Sequence, residues 1–427
     1  MCDSERSEVG LTQLRRSRAV RKRQITMLLK MLDESPESAM YHQTTSRMAD
    51  GGFTLRSWVS NNAALQREFH NDRCGTDHGS SSEKVLGYQY YPATDTMCVS
   101  RMSPVSTEGT ATKRKVLSQL AKVFDPLGLV TPALVSSKIF LRKLWLAKYA
   151  WDDPLNEEHC QEWQTISSNV QQLTNFSFQR KTIDSDKEVS LILFSDASQT
   201  SYGCAMYAVQ QYDDHCNSNL IFSKNKIAPI KSKSVPTLEL LAVFLAFKCL
   251  FSILESEKFK VSSVTFGIDA QIVLSWILTN KVKAKNVFAR NRVKDISEFR
   301  VELEKKYGLD AKFRFIPTEL NPADLVTRDV NIVEFQKKFQ FWIHGPDFLS
   351  STFVWPQREL GCLSPVNGAL ASNFALQGRE DKSTLPTGSA VAADEAADEA
   401  EAEVPTAVER PERAAAVRCK ERLRHCN

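Results

Sequence analysis

Strand-like and helix-like segments alternate between residues 188 and 343, and this alternation constrains the fold more than any other feature of the sequence. Apolar, β-branched runs predict strands at residues 188–197, 203–209, 219–226, 261–268 and 312–316. Helical patterns follow Pro236, cover residues 270–278 and 288–307, and begin again at Asn321-Pro322. Three successive strands followed by alternating helices and strands predict an α/β fold with one mixed sheet and helices on its faces.

Four carboxylates fall where these predicted elements begin or end. Asp196 closes the first strand, Glu239 is expected in the first turn of the long helix, Asp269 follows the fourth strand, and Asp324 opens the last helix. Each has a structural explanation, as a helix cap, a partner of the helix dipole or a strand terminator. If the first and fourth strands are neighbours, however, Asp196 and Asp269 lie side by side and both helix starts point to the same place.

Four carboxylates at one place repel each other unless cations neutralise them, and their hard oxygen atoms favour Mg²⁺ or Mn²⁺. Two such ions about 4 Å apart can activate a water molecule and stabilise the leaving oxygen of a phosphodiester. The pattern therefore predicts a two-metal nuclease site.

Several motifs, in order, resemble Bel/Pao-type long-terminal-repeat retrotransposon polyproteins over roughly residues 51–356. The segments GGFTLRSWVSNN, VLGYQYYPATD and KRKVLSQLAKVFDPLGLV resemble the region after the polymerase active site, and FSDASQTSYGCAMY, SVPTLELLA, FGIDAQIVLSWI, NVFARNRVKDI and NPADLVTRD resemble the ribonuclease H domain. The resemblance implies a ribonuclease H-like fold, preceded by a smaller α+β remnant of the reverse-transcriptase thumb or connection. It also implies metal-binding catalytic carboxylates at Asp196, Glu239, Asp269 and Asp324, two Mg²⁺ or Mn²⁺ ions, and RNA/DNA hybrid as substrate.

The chain departs from the family pattern at several points. Asp269-Ala270 stands where the family usually has Asp-Ser, and Thr327-Arg328-Asp329 stands where it has Ser-Arg-Gly. The Tyr-x-Asp-Asp motif of a polymerase does not occur, and Asp-Thr-Gly or Asp-Ser-Gly, which an aspartic peptidase requires, does not occur either. The integrase expected to follow is replaced by an unrelated charged tail. We therefore expect no polymerase or protease activity, although this family segment is sometimes labelled a retrotransposon peptidase.

A basic segment follows the predicted second helix of the domain and continues into the third. It places six bases and no acid within fourteen residues: Lys281, Lys283, Lys285, Arg290, Arg292 and Lys294. Together with Trp276 and Phe288, these side chains can form a wall for the phosphates of a hybrid duplex. A solvated loop and helix face is the alternative interpretation.

Composition divides the chain into four predicted domains. Residues 1–48 are a basic helical arm, 49–185 the connection-like segment, 186–356 the ribonuclease H-like domain, and 357–427 a low-complexity charged tail. The arm is either a solvated helix, a nuclear-import signal or a phosphate-contacting element. Six acids within residues 394–403, followed by six bases within 410–424, predict a disordered tail.

Ten cysteines and seven histidines raise the questions of disulfides and zinc. No Cys-x-x-Cys occurs and no apolar leader opens the chain, so we expect a reduced intracellular setting, in the cytoplasm, the nucleus or both. His70, Cys74 and His78, with distant Cys98, lack the paired knuckles of a zinc site. Glu239 and Lys248 interrupt the longest apolar run, 238–254, which therefore predicts a buried helix rather than a membrane span.

The sequence thus supports a retrotransposon-derived, Mg²⁺-dependent ribonuclease H-type nuclease that lacks the polymerase site and the integrase. The alternative is a noncatalytic nucleic-acid-binding remnant of a retroelement polyprotein. RNA/DNA hybrid is the expected partner, contacts with other retroelement polyprotein domains are a further expectation, and no membrane is implied.

Overall fold

The computed structural model describes residues 38–53, 55, 58–71, 82–100, 111–230, 233–256, 259–282, 286–350 and 355–356. The helices of the first part are α1 (Ser38–Asp50), α2 (Ala63–Asn71), α3 (Lys113–Leu120), α4 (Thr131–Leu146) and α5 (Glu157–Gln171). The strands there are β1 (Glu83–Val85), β2 (Tyr88–Tyr91), β3 (Thr96–Val99) and β4 (Ser177–Gln179). They form an antiparallel sheet in the order β1-β2-β3-β4.

A second, five-stranded sheet follows. Its strands are β5 (Val189–Ala197), β6 (Ser201–Gln211), β7 (Cys216–Ile227), β8 (Val261–Ile268) and β9 (Ala311–Phe315), in the order β7-β6-β5-β8-β9. The first three strands form an antiparallel meander, whereas β8 runs parallel to β5 and β9 parallel to β8. The mixed sheet predicted from the sequence is confirmed, and the first and fourth strands, β5 and β8, are neighbours, which is the condition for bringing Asp196 and Asp269 together.

Helices cover this sheet, as its apolar strands require. They are α6 (Val235–Leu254), α7 (Gln271–Thr279), α8 (Val287–Tyr307), α9 (Ile332–Lys337) and α10 (Phe339–His344). The central strand β5 carries side chains that are almost fully buried on both faces, such as Leu193 and Phe194. A strand buried on both faces shows a continuous apolar run rather than an alternation, which is the pattern of residues 189–197.

The long helix α6 is the main covering element of one face. Phe247 on α6 stacks on Phe266 of β8, with ring centroids 4.3 Å apart. The helix is long and apolar enough to cross a bilayer, yet 78% of its most apolar stretch is buried inside the fold. A fully apolar helix of this kind is typical of a protein core as well as of a membrane.

The Asp125-Pro126-Leu127-Gly128 turn separates α3 from α4. The buried Asp125 carboxylate accepts hydrogen bonds from the Leu129 and Val130 backbone amides, at 2.9 and 3.0 Å, and from the Tyr88 hydroxyl at 2.6 Å. Beside it, the Ser223 hydroxyl of β7 donates to the Gly128 carbonyl at 2.5 Å. The turn therefore attaches the connection-like segment to the edge strand of the five-stranded sheet.

Two predicted elements were wrong in detail. The tyrosine- and valine-rich sequence of residues 85–91 predicts a single strand. A turn at Leu86-Gly87, where both residues have positive φ angles of 46° and 91°, divides it instead, so β1 and β2 form a hairpin. The last helix, expected to open at Asn321-Pro322, is a five-residue 3₁₀ turn (Pro322–Val326). Its short length places Asp324 in a turn rather than on a helix face.

Several predictions fall outside the described residues: the basic arm of residues 11–33, the side chains of His70, Cys74 and His78, and the charged tail. The four-domain division also stays a prediction. Within the described part, the hydrophobic core continues across residue 185, since Phe176 packs on Phe335 and Phe339 with ring centroids 4.8 and 5.0 Å apart.

We predict that Gly128→Ala destabilises the protein more than Gly308→Ala. Both glycines have positive φ angles, 76° and 67°, but a methyl group at Gly128 would overlap the Ser223 carbonyl whereas Gly308 has open space. Gly308→Ala should therefore cost only the conformational penalty, about 1 kcal/mol. Gly128→Ala should add about 1–3 kcal/mol of overpacking. Urea unfolding of both variants measures this difference, and equal losses would contradict the close packing.

Candidate active site

Asp196 and Asp269 lie at the carboxyl ends of two adjacent parallel strands. Ser195 of β5 pairs with Ile268 of β8, so the next residue on each strand is an aspartate. Paired residues of parallel strands point to the same face. Backbone pairing alone therefore brings the two carboxylates together at one end of the sheet.

Glu239 reaches the same place from the helix on that side. It is the fifth residue of α6 (Val235–Leu254), just past the first turn in which the sequence placed it. Ligand oxygens of Asp196, Glu239 and Asp269 all lie within 4.8 Å of one another. One oxygen of Glu239 accepts a hydrogen bond from the Ala197 backbone amide, while the buried Oε2 has no hydrogen-bond partner among the described residues.

Asp324 lies beside this group but outside the three-carboxylate cluster. Its Oδ1 lies 2.6 Å from Nε of Arg328, four residues later in the chain. Its charge nevertheless raises the pKa values of Asp196 and Glu239, so Asp324 interacts electrostatically with both groups. The structure thus brings three predicted site residues into mutual contact distance and places the fourth, paired with an arginine, next to them.

Asp269 is not the helix cap that its position in the sequence allowed. The N-cap of α7 is Ala270, and Asp269 accepts hydrogen bonds from the side chains of Asn321 and Thr318 instead. Asn321 also donates to the Ser195 carbonyl at 3.1 Å. The Asn321 amide therefore links the ends of both strands.

Burial raises the pKa of every carboxyl group in the site, and repulsion between the carboxylates adds to this effect for Asp196, Glu239 and Asp324. Burial, followed by the charge of Asp269, raises the pKa of Asp196 to about 7. Burial, followed by the charges of Asp196 and Asp269, raises the pKa of Glu239 to about 10. The pKa values of Asp269 and Asp324 are also raised, mainly by burial. In the absence of a cation the group therefore holds protons that isolated carboxylates would have lost at neutral pH.

The donor set fits a divalent metal ion. It offers hard carboxylate oxygens, one of them a buried Glu239 oxygen without a partner, and a surplus of negative charge. Asp196, Glu239 and Asp269 are the residues able to hold such an ion.

The predicted basic wall is only partly available to a ligand. Lys281, Arg290 and Lys294 are exposed, and Lys294 has Glu298 at 3.7 Å. Arg292 is half-buried, lies over the Phe244 ring and pairs with Asp295 at 3.1 Å, so it is held within the fold. Lys283 and Lys285 fall outside the described residues.

Sequence reasoning missed the polar side chains that hold the carboxylates. Asn321 and Thr318 donate to Asp269, and the buried Thr327 hydroxyl donates to Asp196. The motif NPADLVTRD contains all but Thr318 of them, but its spacing does not reveal contacts with strands more than a hundred residues earlier.

Part of the chain is similar to a known protein family. Residues 112–270 match the model of the Pao retrotransposon-like RNaseH-like domain. The retroelement resemblance of the motifs is therefore confirmed over this segment, and so is the ribonuclease H-like fold. No curated protein matches the chain.

Solved structures with similar folds share little sequence with this chain. LC11-RNase H1 in complex with RNA/DNA hybrid is 15% identical, with 31% of this chain and 88% of that protein covered and a TM-score of 0.23. The foamy viral protease-reverse transcriptase in complex with RNA/DNA hybrid is 13% identical, with 56% of this chain and 29% of that protein covered and a TM-score of 0.34. RNase H1 from the halophilic archaeon Halobacterium salinarum is 10% identical, with 31% and 89% covered and a TM-score of 0.21.

We predict that Asp196→Asn stabilises the metal-free protein, and more so at pH 8 than at pH 5. A carboxyl whose pKa is about 7 in the folded protein and near 4 when unfolded stabilises the fold at low pH and loses this contribution as pH rises through 7. The Asp196→Asn variant has no carboxyl group to ionise at this position, so it does not lose this stability as the pH rises. The measurement is urea unfolding of parent and variant in EDTA at both pH values.

The matched control for this measurement is Asp213→Asn, a change of the same kind at an exposed position in the loop between β6 and β7. As a surface substitution it should change the free energy of unfolding by no more than about 0.5 kcal/mol. A pH-independent difference for Asp196→Asn would contradict the crowded-carboxylate electrostatics.

Proposed function

We propose that this chain contains a divalent-metal-dependent nuclease that hydrolyses the RNA strand of RNA/DNA hybrids. The observation that carries the proposal is the convergence of Asp196, Glu239 and Asp269, with ligand oxygens within 4.8 Å, on a ribonuclease H-like sheet. The excess negative charge and the unpartnered Glu239 oxygen support metal binding rather than a purely structural role.

In this proposal Asp196, Glu239 and Asp269 hold the ions, with Asp324 completing the set. When bound, Mg²⁺ or Mn²⁺ supplies an activated water and stabilises the charge that develops on the phosphodiester. The protein keeps the carboxylates in place: Asn321 orients Asp269, and the Ala197 amide fixes one oxygen of Glu239. Arg328, which now pairs with Asp324, is positioned to share its charge with an incoming phosphate.

The proposed substrate is recognised through its backbone. Lys281 and Arg290 are exposed on the segment that follows α7, the helix that begins just after Asp269. Cations at such positions contact phosphates and read shape rather than sequence. Sequence-independent binding of a hybrid duplex suits this arrangement.

The first test is cleavage of a labelled RNA/DNA hybrid by the purified protein in Mg²⁺, with Asp196→Asn and Asp269→Asn as variants. Each variant keeps the shape of the side chain but removes a negative ligand, so cleavage should fall by orders of magnitude while the fold persists. The control is again Asp213→Asn, which should cleave like the parent.

Two results would contradict the proposal that this chain contains a nuclease. One is a parent protein that neither cleaves hybrid nor gains thermal stability with Mg²⁺ or Mn²⁺. The other is full activity in the Asp196→Asn and Asp269→Asn variants. Hybrid binding without cleavage would favour a noncatalytic nucleic-acid-binding remnant.

A second prediction concerns the salt dependence of hybrid binding, measured with Ca²⁺ in place of Mg²⁺. Replacing Lys281 and Arg290 by Ala should reduce the slope of log affinity against log salt by about one to two units, at about 0.9 per lost phosphate contact on duplex DNA. The measurement is a fluorescence-anisotropy titration at several salt concentrations.

The charge-matched control is the double variant Lys187→Ala and Lys260→Ala. These lysines lie at the starts of β5 and β8, the opposite end of the sheet from Asp196 and Asp269. Their loss should leave the slope unchanged. An equal change in both double variants would indicate a general effect of net charge and contradict a local phosphate-binding surface.

A further inference from the structure

The Thr327 hydroxyl is the buried group that touches Asp196 directly. Thr327 is completely buried, and its Oγ1 donates a hydrogen bond to Oδ2 of Asp196, which precedes it by 131 residues in the chain. A hydroxyl placed against a buried carboxylate forms a charge-assisted hydrogen bond, which is shorter and stronger than a neutral one.

The backbone of Thr327 is held from the opposite side. Its carbonyl accepts hydrogen bonds from the hydroxyls of Ser198 and Ser201, at 2.8 and 2.9 Å, at the β5–β6 connection. The preceding carbonyl, of Val326, accepts from the Asn225 amide of β7 at 2.5 Å. The turn that carries the hydroxyl is thus tied to the sheet that carries Asp196.

The hydroxyl has two acceptors within reach but one hydrogen. The Asp324 carbonyl lies 3.2 Å from Oγ1, whereas Asp196 offers a charged oxygen. The hydrogen goes to the carboxylate because donation to a charged acceptor is the stronger bond. One oxygen of Asp196 is thereby engaged, and the other remains available to the carboxylate cluster.

We propose that Thr327 is a positioning residue for the metal site. By holding Oδ2, it fixes the rotation of the Asp196 carboxylate so that the second oxygen faces Glu239 and Asp269. The inference rests on the proposed metal-dependent function and names a determinant of it.

The test compares Thr327→Val, which keeps the shape but removes the donor, with Thr327→Ser, which keeps the donor. Mn²⁺ binding to the substrate-free protein is measured by isothermal titration calorimetry. Loss of a group that orients a metal ligand typically weakens binding about 10–100-fold, and this is the expected result for Thr327→Val. Thr327→Ser should retain most of the parent affinity.

The control for the exchange of a hydroxyl for a methyl is Thr265→Val. Thr265 is also buried, on β8, four residues before Asp269, and it pairs with Ile192, which is four residues before Asp196 on β5. Its Mn²⁺ affinity should equal that of the parent. The Mg²⁺ concentration needed for half-maximal cleavage should rise for Thr327→Val alone.

Failure of this inference is distinguishable from failure of the proposed function. If the parent binds Mn²⁺ and cleaves hybrid, and Thr327→Val does both equally well, the positioning role of Thr327 is overturned. The proposed nuclease function is then supported. If the parent neither binds Mn²⁺ nor cleaves, both are overturned. If Thr327→Ser loses affinity as severely as Thr327→Val, the hydroxyl is not the cause and the positioning role is again overturned.

Discussion

Repulsion between Asp196 and Asp269 is built into the backbone, because the parallel register of β5 with β8 fixes where the two strands end. Neither aspartate can move away without breaking strand pairing inside a buried sheet. Glu239 then adds a third carboxylate from α6. Burial withdraws these groups from water, so their charges are neither hydrated nor screened as they would be on the surface. The local electrostatics therefore follow from the topology of the sheet.

Packing in the surrounding core stabilises the fold against the repulsion between these carboxylates. Phe247 and Phe266 stack between α6 and β8, and the Trp342 indole donates to the Leu129 carbonyl at 2.7 Å. The turn at Gly128 covers the outer edge of β7, which would otherwise present unpaired backbone groups. The connection-like segment thus protects the sheet edge and shares its core. The family match, which runs from residue 112 to residue 270, likewise crosses the predicted boundary near residue 185.

Most strands and helices could be predicted from the sequence because their signals are local. The strand predicted at residues 261–268 coincides with β8, since an apolar run bounded by polar residues needs no tertiary information. The break at Leu86-Gly87 escaped prediction because tyrosines and valines on both sides favour one continuous strand. The Thr327–Asp196 hydrogen bond was not predictable, because its partners are 131 residues apart and a threonine near a turn has many local roles.

The four predicted site carboxylates are not equivalent, and the difference bears on why a metal ion suits this site. Asp324 already has a cation, Arg328, supplied by its own turn. Asp196, Glu239 and Asp269 instead surround a point where one Glu239 oxygen has no partner. An arginine there would bring one positive charge on a large planar group, and desolvating it would add to the cost of burial. A divalent cation brings two charges in the volume of a single atom and accepts oxygen ligands from several directions. The geometry of three carboxylates within 4.8 Å therefore suits a small divalent ion better than a second salt bridge.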